Sequence, residues 1–105
     1  MILLHIISEN EEQAIEVVDF LLEESLLLDA VCMEKIILRK KGDSGHPKSI
    51  PQTLIMGKTK ALLFNTIDEI LKDKYGANSP TIYSVPIVHM DWEQSKQLVN
   101  EITKV

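Results

Sequence analysis

The chain has 105 residues, a mass of 11.9 kDa, a formal net charge of -5 and a pI near 5.1, a size that suits one domain, residues 1–105, burying roughly two thirds of its unfolded surface. The acidic balance argues against a nucleic-acid or anionic-membrane partner, because phosphate binding needs a positive surface that releases counterions. Cys32 is the only cysteine, which excludes an internal disulfide and a CxxC motif and fits a reducing, cytoplasmic setting.

Residues 2–7 are a short apolar run in which Ile2, Leu4 and Ile6 alternate with Leu3, His5 and Ile7. The run is too short for a membrane span and lacks a basic leader, so it reads as a first strand that wants cover on both faces. Ser8 followed by Glu11 has the spacing of a capping box. The predicted helix runs to about Leu26, with Ala14, Val17, Val18, Leu21, Leu22 and Ser25 on one stripe and Glu12, Glu16, Asp19 and Glu23 on the other.

Residues 29–40 change to a β pattern, and residues 42–47 are dense in turn formers. Pro51 delays the returning strand to about residues 52–58, which completes a long hairpin. A second helix is predicted over residues 59–75, with Gly76 ending it and Lys72 and Lys74 suiting its dipole. Residues 81–88 read as a strand that Pro86 breaks or confines to an edge. Asp91 caps a last helix whose narrow face is Trp92, Ser95, Val99 and Ile102, with Leu98 beside it.

This order defines an α+β fold, a ferredoxin-like β-α-β-β-α-β sandwich with a long central hairpin and an added C-terminal helix. Helices cover one face of such a sheet only. The first strand and Leu54-Ile55-Met56 are nevertheless apolar on both faces, and the bare face calls for a partner, so a homo-oligomer is expected.

Several segments resemble the CutA family of divalent-ion tolerance proteins: the helix from Ala14 to Leu22, Ala30-Val31-Cys32, the pair Lys58-Thr59, Lys74-Tyr75 followed by Pro80, the stretch from Ile82 to Ile87, and Trp92 on the final helix. The resemblance implies a homotrimer in which long strands of neighbouring subunits extend one another's sheets. It further implies a non-enzymatic binding or signalling scaffold linked to divalent-cation tolerance. The chain departs from the family where Asp73 and Lys74 replace a histidine before Tyr75, where extra residues separate Tyr75 from Pro80, and where Leu38-Arg39-Lys40-Lys41-Gly42 replaces a Tyr-x-Trp pattern. These departures weaken a metal-binding activity.

Among the soft or borderline donors, Cys32 and His89 are the better candidates for copper or another divalent metal, ahead of His5 and His46. None has HxH, HExxH or CxxC spacing, and the commoner arrangement is Cys32 as a small core residue, His5 as a polar tenant of a strand and His46 in a mobile turn. Gly57-Lys58-Thr59 is not a phosphate loop, since the position of its first glycine holds Gln52. Lys58 at a helix start can hold a small anion, although ordinary capping by Thr59 is the simpler expectation. With Tyr75, Tyr83 and Trp92, Lys58 makes up the candidate ligand cleft between subunits. No catalytic constellation is visible, so an enzyme is not expected. The alternative to the scaffold is a protein-protein interaction module with neither small-molecule nor metal ligand.

Overall fold

The computed structural model describes residues 1–104. It contains strands β1 (Ile2–Ser8), β2 (Ala30–Lys41), β3 (Pro47–Thr59) and β4 (Thr81–Pro86), and helices α1 (Glu11–Glu23), α2 (Phe64–Tyr75) and α3 (Trp92–Glu101). The sheet is antiparallel in the order β2-β3-β1-β4, the ferredoxin-like arrangement with α3 appended. Ile2, Leu4 and Ile6 of β1 and Ile55 of β3 point to the helices, where Ala14, Val17, Leu21, Ile67, Leu71 and Leu98 complete one buried cluster.

The start of α1 differs from the capping box. Asn10 is the N-cap and accepts from the Gln13 N–H, while Ser8 Oγ donates to Gln13 Oε1 and accepts from the Asn10 N–H. A shorter helix also results, because Glu24 ends it and Ser25 turns left-handed at φ 56. The Leu26 N–H reaches Leu21 O at 2.8 Å and the Ser25 N–H reaches Leu22 O at 3.1 Å, the paired bonds of a Schellman ending. Ser25 is therefore a terminator and not part of the packing stripe. Leu22 is exposed as well.

The chain after α1 then crosses the end of β3. The Leu28 N–H donates to Lys58 O, Thr59 Oγ1 donates to Leu26 O at 2.7 Å, and Leu27 is buried. Gly57 makes this crossing fit: a Cβ there would stand 2.9 Å from both Asp29 O and Leu27 Cδ2, closer than packed atoms tolerate.

Two boundaries move for related reasons. β3 begins at Pro47 and passes through Pro51. β1 pairs with β3 only from Thr53 to Thr59, so Pro51 lies where the strand has one neighbour and a missing donor breaks no second ladder. The hairpin arm beyond that point projects with Ile37 and Leu38 exposed, and the molecule measures 48 × 29 × 20 Å. Thr59 belongs to β3, paired with Ile2, so α2 starts only at Phe64 after a 3₁₀ turn at Ala61–Leu63. Gly76, at φ 57, closes α2.

Pro86 ends β4 opposite Ile2. Asp91 caps α3 by accepting from the Gln94 N–H at 3.0 Å. The inner face of α3 is Leu98 and Ile102, both buried, while Trp92 is 72% exposed and Val99 also faces outward. The helix is rotated from the expected stripe because its end is tied down: the Thr103 N–H donates to Ser25 O, and Lys60 Nζ donates to the carbonyls of Ile102 and Thr103. No helix among the described residues is long and apolar enough to cross a membrane.

Candidate functional site

The sheet face opposite the helices is open. Register places Val31, Met56, His5 and Tyr83 in one cross-strand row, with Met33, Leu54, Ile7 and Thr81 in the next and Lys58, Leu3 and Val85 on the other side. The His5 and Tyr83 rings stack at 4.9 Å and 14°. Val31 is 58% exposed, and Met33, Tyr83 and Val85 are exposed too, so a mostly apolar surface runs across all four strands.

The four candidate cleft residues divide between the two layers. Lys58 and Tyr83 share the open face, on strands separated by β1 and two residues apart in register, which puts their backbones about 12 Å apart. Lys58 is ion-paired to Asp29 at 2.9 Å, and five residues separate it from the first residue of α2, so the anion-holding helix start is not formed. Tyr75 lies in the helical layer, where its hydroxyl donates to Glu16 Oε1 on α1. Lys74 Nζ approaches the same carboxylate at 3.5 Å and stands 5.0 Å from the Phe20 ring centre. Burial first, and the Glu16 carboxylate second, push the Tyr75 phenol up to about 12. The hydrogen bond from Tyr75 holds Glu16 below its ordinary range. Trp92 stands on the rim of α3 with Lys96 Nζ 5.8 Å from its ring centre.

The metal candidates do not meet within one chain. Cys32, Ile55, Ile6 and Ile82 form one row across the sheet, so Cys32 and Ile82 are about 14 Å apart by strand spacing. His89 lies beyond the far end of β4. No group of three His, Cys, Asp or Glu side chains converges among the described residues, and the in-chain donor set does not fit a copper or zinc centre. Cys32 itself is exposed on the edge strand.

A cleft that the sequence did not signal opens where β1 and β4 stop and the hairpin arm continues. Its volume is about 790 Å³, and Gln52, Leu38 and Lys40 of the arm face the turn Ser8-Glu9-Asn10 across it. Asn78 and Tyr83 close the remaining side. Gln13 Nε2 donates to Asn78 O at 2.7 Å and so ties the α1 start to the turn before β4. In the sequence Gln52 stood out only as the residue after Pro51 and as the residue where a phosphate loop would need glycine, since nothing local marks a side chain that a distant step in the sheet will enclose. Outside this cleft, at the start of α1, Glu11 is held above its ordinary range by a hydrogen bond and charge repulsion from Glu34 at the β2 bulge.

An antiparallel α+β sandwich of β-α-β-β-α-β order with a projecting hairpin and an added C-terminal helix defines the structural class. Solved CutA proteins share this fold. CutA1 from Pyrococcus horikoshii superposes with a TM-score of 0.85 at 22% identity, covering 99% of this chain and 100% of that one. CutA1 from Oryza sativa gives 0.87 at 17% identity over 99% and 94%. The periplasmic divalent cation tolerance protein CutA from Archaeoglobus fulgidus gives 0.84 at 18% identity over 98% and 100%. The chain therefore has the CutA fold. No protein-family model matches its sequence, and no curated protein matches it.

Proposed function

We propose that the chain is a non-enzymatic homotrimeric scaffold of the CutA type, binding or signalling through a ligand cleft between subunits and linked to divalent-cation tolerance in the cytoplasm. The open apolar sheet face carries this reading. Val31, Met33, Tyr83 and Val85 are exposed there, and a soluble chain covers such a surface by association. The projecting arm, with Ile37 and Leu38 exposed, supplies further surface for a neighbour. The fold shared with the divalent cation tolerance protein of Archaeoglobus fulgidus supports the functional link. Cys32 lies on one edge strand of the sheet and His89 follows the other in sequence, which supports a link that does not run through chelation inside one chain. A binding role is supported by ionic side chains that act as pins between elements, Glu16 with Lys74 and Lys58 with Asp29.

Light scattering at micromolar concentration tests the assembly, with a trimeric mass expected and a monomer rejecting it. A thermal-shift screen of divalent metals and small metabolites on the same sample tests ligand binding, since a ligand of the native state raises the melting temperature. The interaction-module reading is favoured by α1, where Ile15 and Leu22 are exposed among Glu12, Glu16 and Asp19. It expects a specific protein partner and no small-molecule shift.

A further inference from the structure

The cleft at the base of the hairpin arm has the chemistry of a small-molecule site. Gln52 is only 5% exposed, and its side-chain amide makes no hydrogen bond among the described residues, whereas the Ser8 and Gln13 side chains beside it are each bonded. No completely enclosed side-chain polar atom among the described residues lacks a partner, so the unbonded amide of Gln52 keeps part of that residue's small exposure, and the residue lines the cleft. An amide held in that state offers one donor group and one acceptor whose bonding to a ligand recovers desolvation already suffered.

Charge narrows the ligand. Lys40 on the arm and Glu9 on the β1–α1 turn line the same cleft from opposite sides. Neither belongs to an ion pair among the described residues. An anion satisfies only the lysine and a cation only the glutamate, while a molecule carrying both charges satisfies both. The walls are built in advance: Gln13 is bonded to Ser8 and Asn78, and Tyr83 is held by stacking on His5. Pre-organised walls lower the entropic cost of binding.

We propose that this cleft binds a small zwitterion of the amino-acid type, with its carboxylate toward Lys40 and the Gln52 amide and its ammonium toward Glu9. The assignment rests on the ligand-binding part of the scaffold reading and places the ligand at Gln52 and Tyr83, away from Tyr75 and Trp92. A volume of about 790 Å³ leaves room for a side chain of any size.

The test is two-dimensional NMR of the intact ¹⁵N-labelled protein, following the Gln52 side-chain NH₂ and the Tyr83 amide. The probes are a pool of L-amino acids, then its members singly, with succinate and putrescine as single-charge controls. Saturable shifts with an amino acid, and far weaker ones with the controls, are expected. Lys40→Met and Gln52→Leu should each weaken binding about tenfold, the scale of one lost charged or buried hydrogen bond. Lys40 is exposed, so Lys40→Met is expected to fold, which keeps the test valid if Gln52→Leu does not. Arg39→Gln, which alters a residue bonded to Ser49 outside the cleft, should leave binding unchanged. Equal shifts with succinate or putrescine overturn the proposal. So does a trimer by light scattering that shows no shift with any amino acid, an outcome that leaves the scaffold itself standing. A monomer with saturable shifts supports the cleft and removes the trimer.

Discussion

Tyr75 shows how one side chain joins a sequence feature to the stability of the whole helical layer. Its position at the end of α2 lets its hydroxyl donate to Glu16 on α1. The consequences for pH follow from the two displaced groups. The phenol is raised from an ordinary 10.0 to about 12, so its contribution is complete below about pH 10 and is lost as pH rises toward 12. Glu16 is lowered, so its contribution is present above the ordinary carboxylate range and is lost as pH falls through its depressed value. Tyr75→Phe removes the phenol and with it the largest cause of the Glu16 shift, leaving the smaller one from Lys74. Thermal melts across pH should show a lower plateau with weaker losses at the acid and alkaline ends, and the Glu16 carboxyl should titrate closer to its ordinary value by NMR. An unchanged Glu16 titration would show that the bond is not formed in solution.

Among the elements, α3 is where pattern and packing part company. Its aromatic residue suggested an inward Trp92, yet the helix is held by Leu98 and Ile102, with its end bonded to Ser25 and Lys60. Leu98→Ala should therefore cost about 2–5 kcal/mol through the cavity it leaves. Trp92→Ala should stay within about 0.5 kcal/mol in the isolated chain, since its side chain stands mostly in solvent. Denaturant melts of both variants compare the two faces directly, and a larger loss for Trp92→Ala would reverse the placement. The elements whose signals are local were legible in advance: the apolar β1, the capping Asp91, the closing Gly76 and the turn-rich hairpin tip. Those set by distant partners were not. Thr59 reads as a helix start until β1 draws it into the sheet, and Pro51 reads as a barrier until the end of β1 leaves that side of β3 open. The base of the hairpin arm escaped notice for the same reason, because Gln52, Lys40 and Glu9 come from three separate segments that only the step in the sheet brings to one cleft.

For the whole molecule, the decisive quantity is what covers the open sheet face. Val31 sits on that face opposite Met56, 58% exposed and away from the helical core. In a lone chain, Val31→Glu would change stability by no more than about 0.5 kcal/mol, the usual range for a surface substitution. If another copy lies over the face, each subunit must bury an unpaired carboxylate, and symmetry repeats the cost at every interface. The variant should then fall to the mass of a single 11.9 kDa chain by light scattering while its circular dichroism keeps the α+β signature. Ile15→Glu is the matched control, because Ile15 is exposed on the already acidic outer face of α1 and should leave the mass unchanged. An assembly that survives Val31→Glu but dissociates with Ile15→Glu would move the interface from the sheet to the helices, and with it the surface from which the hairpin arm and its cleft are approached.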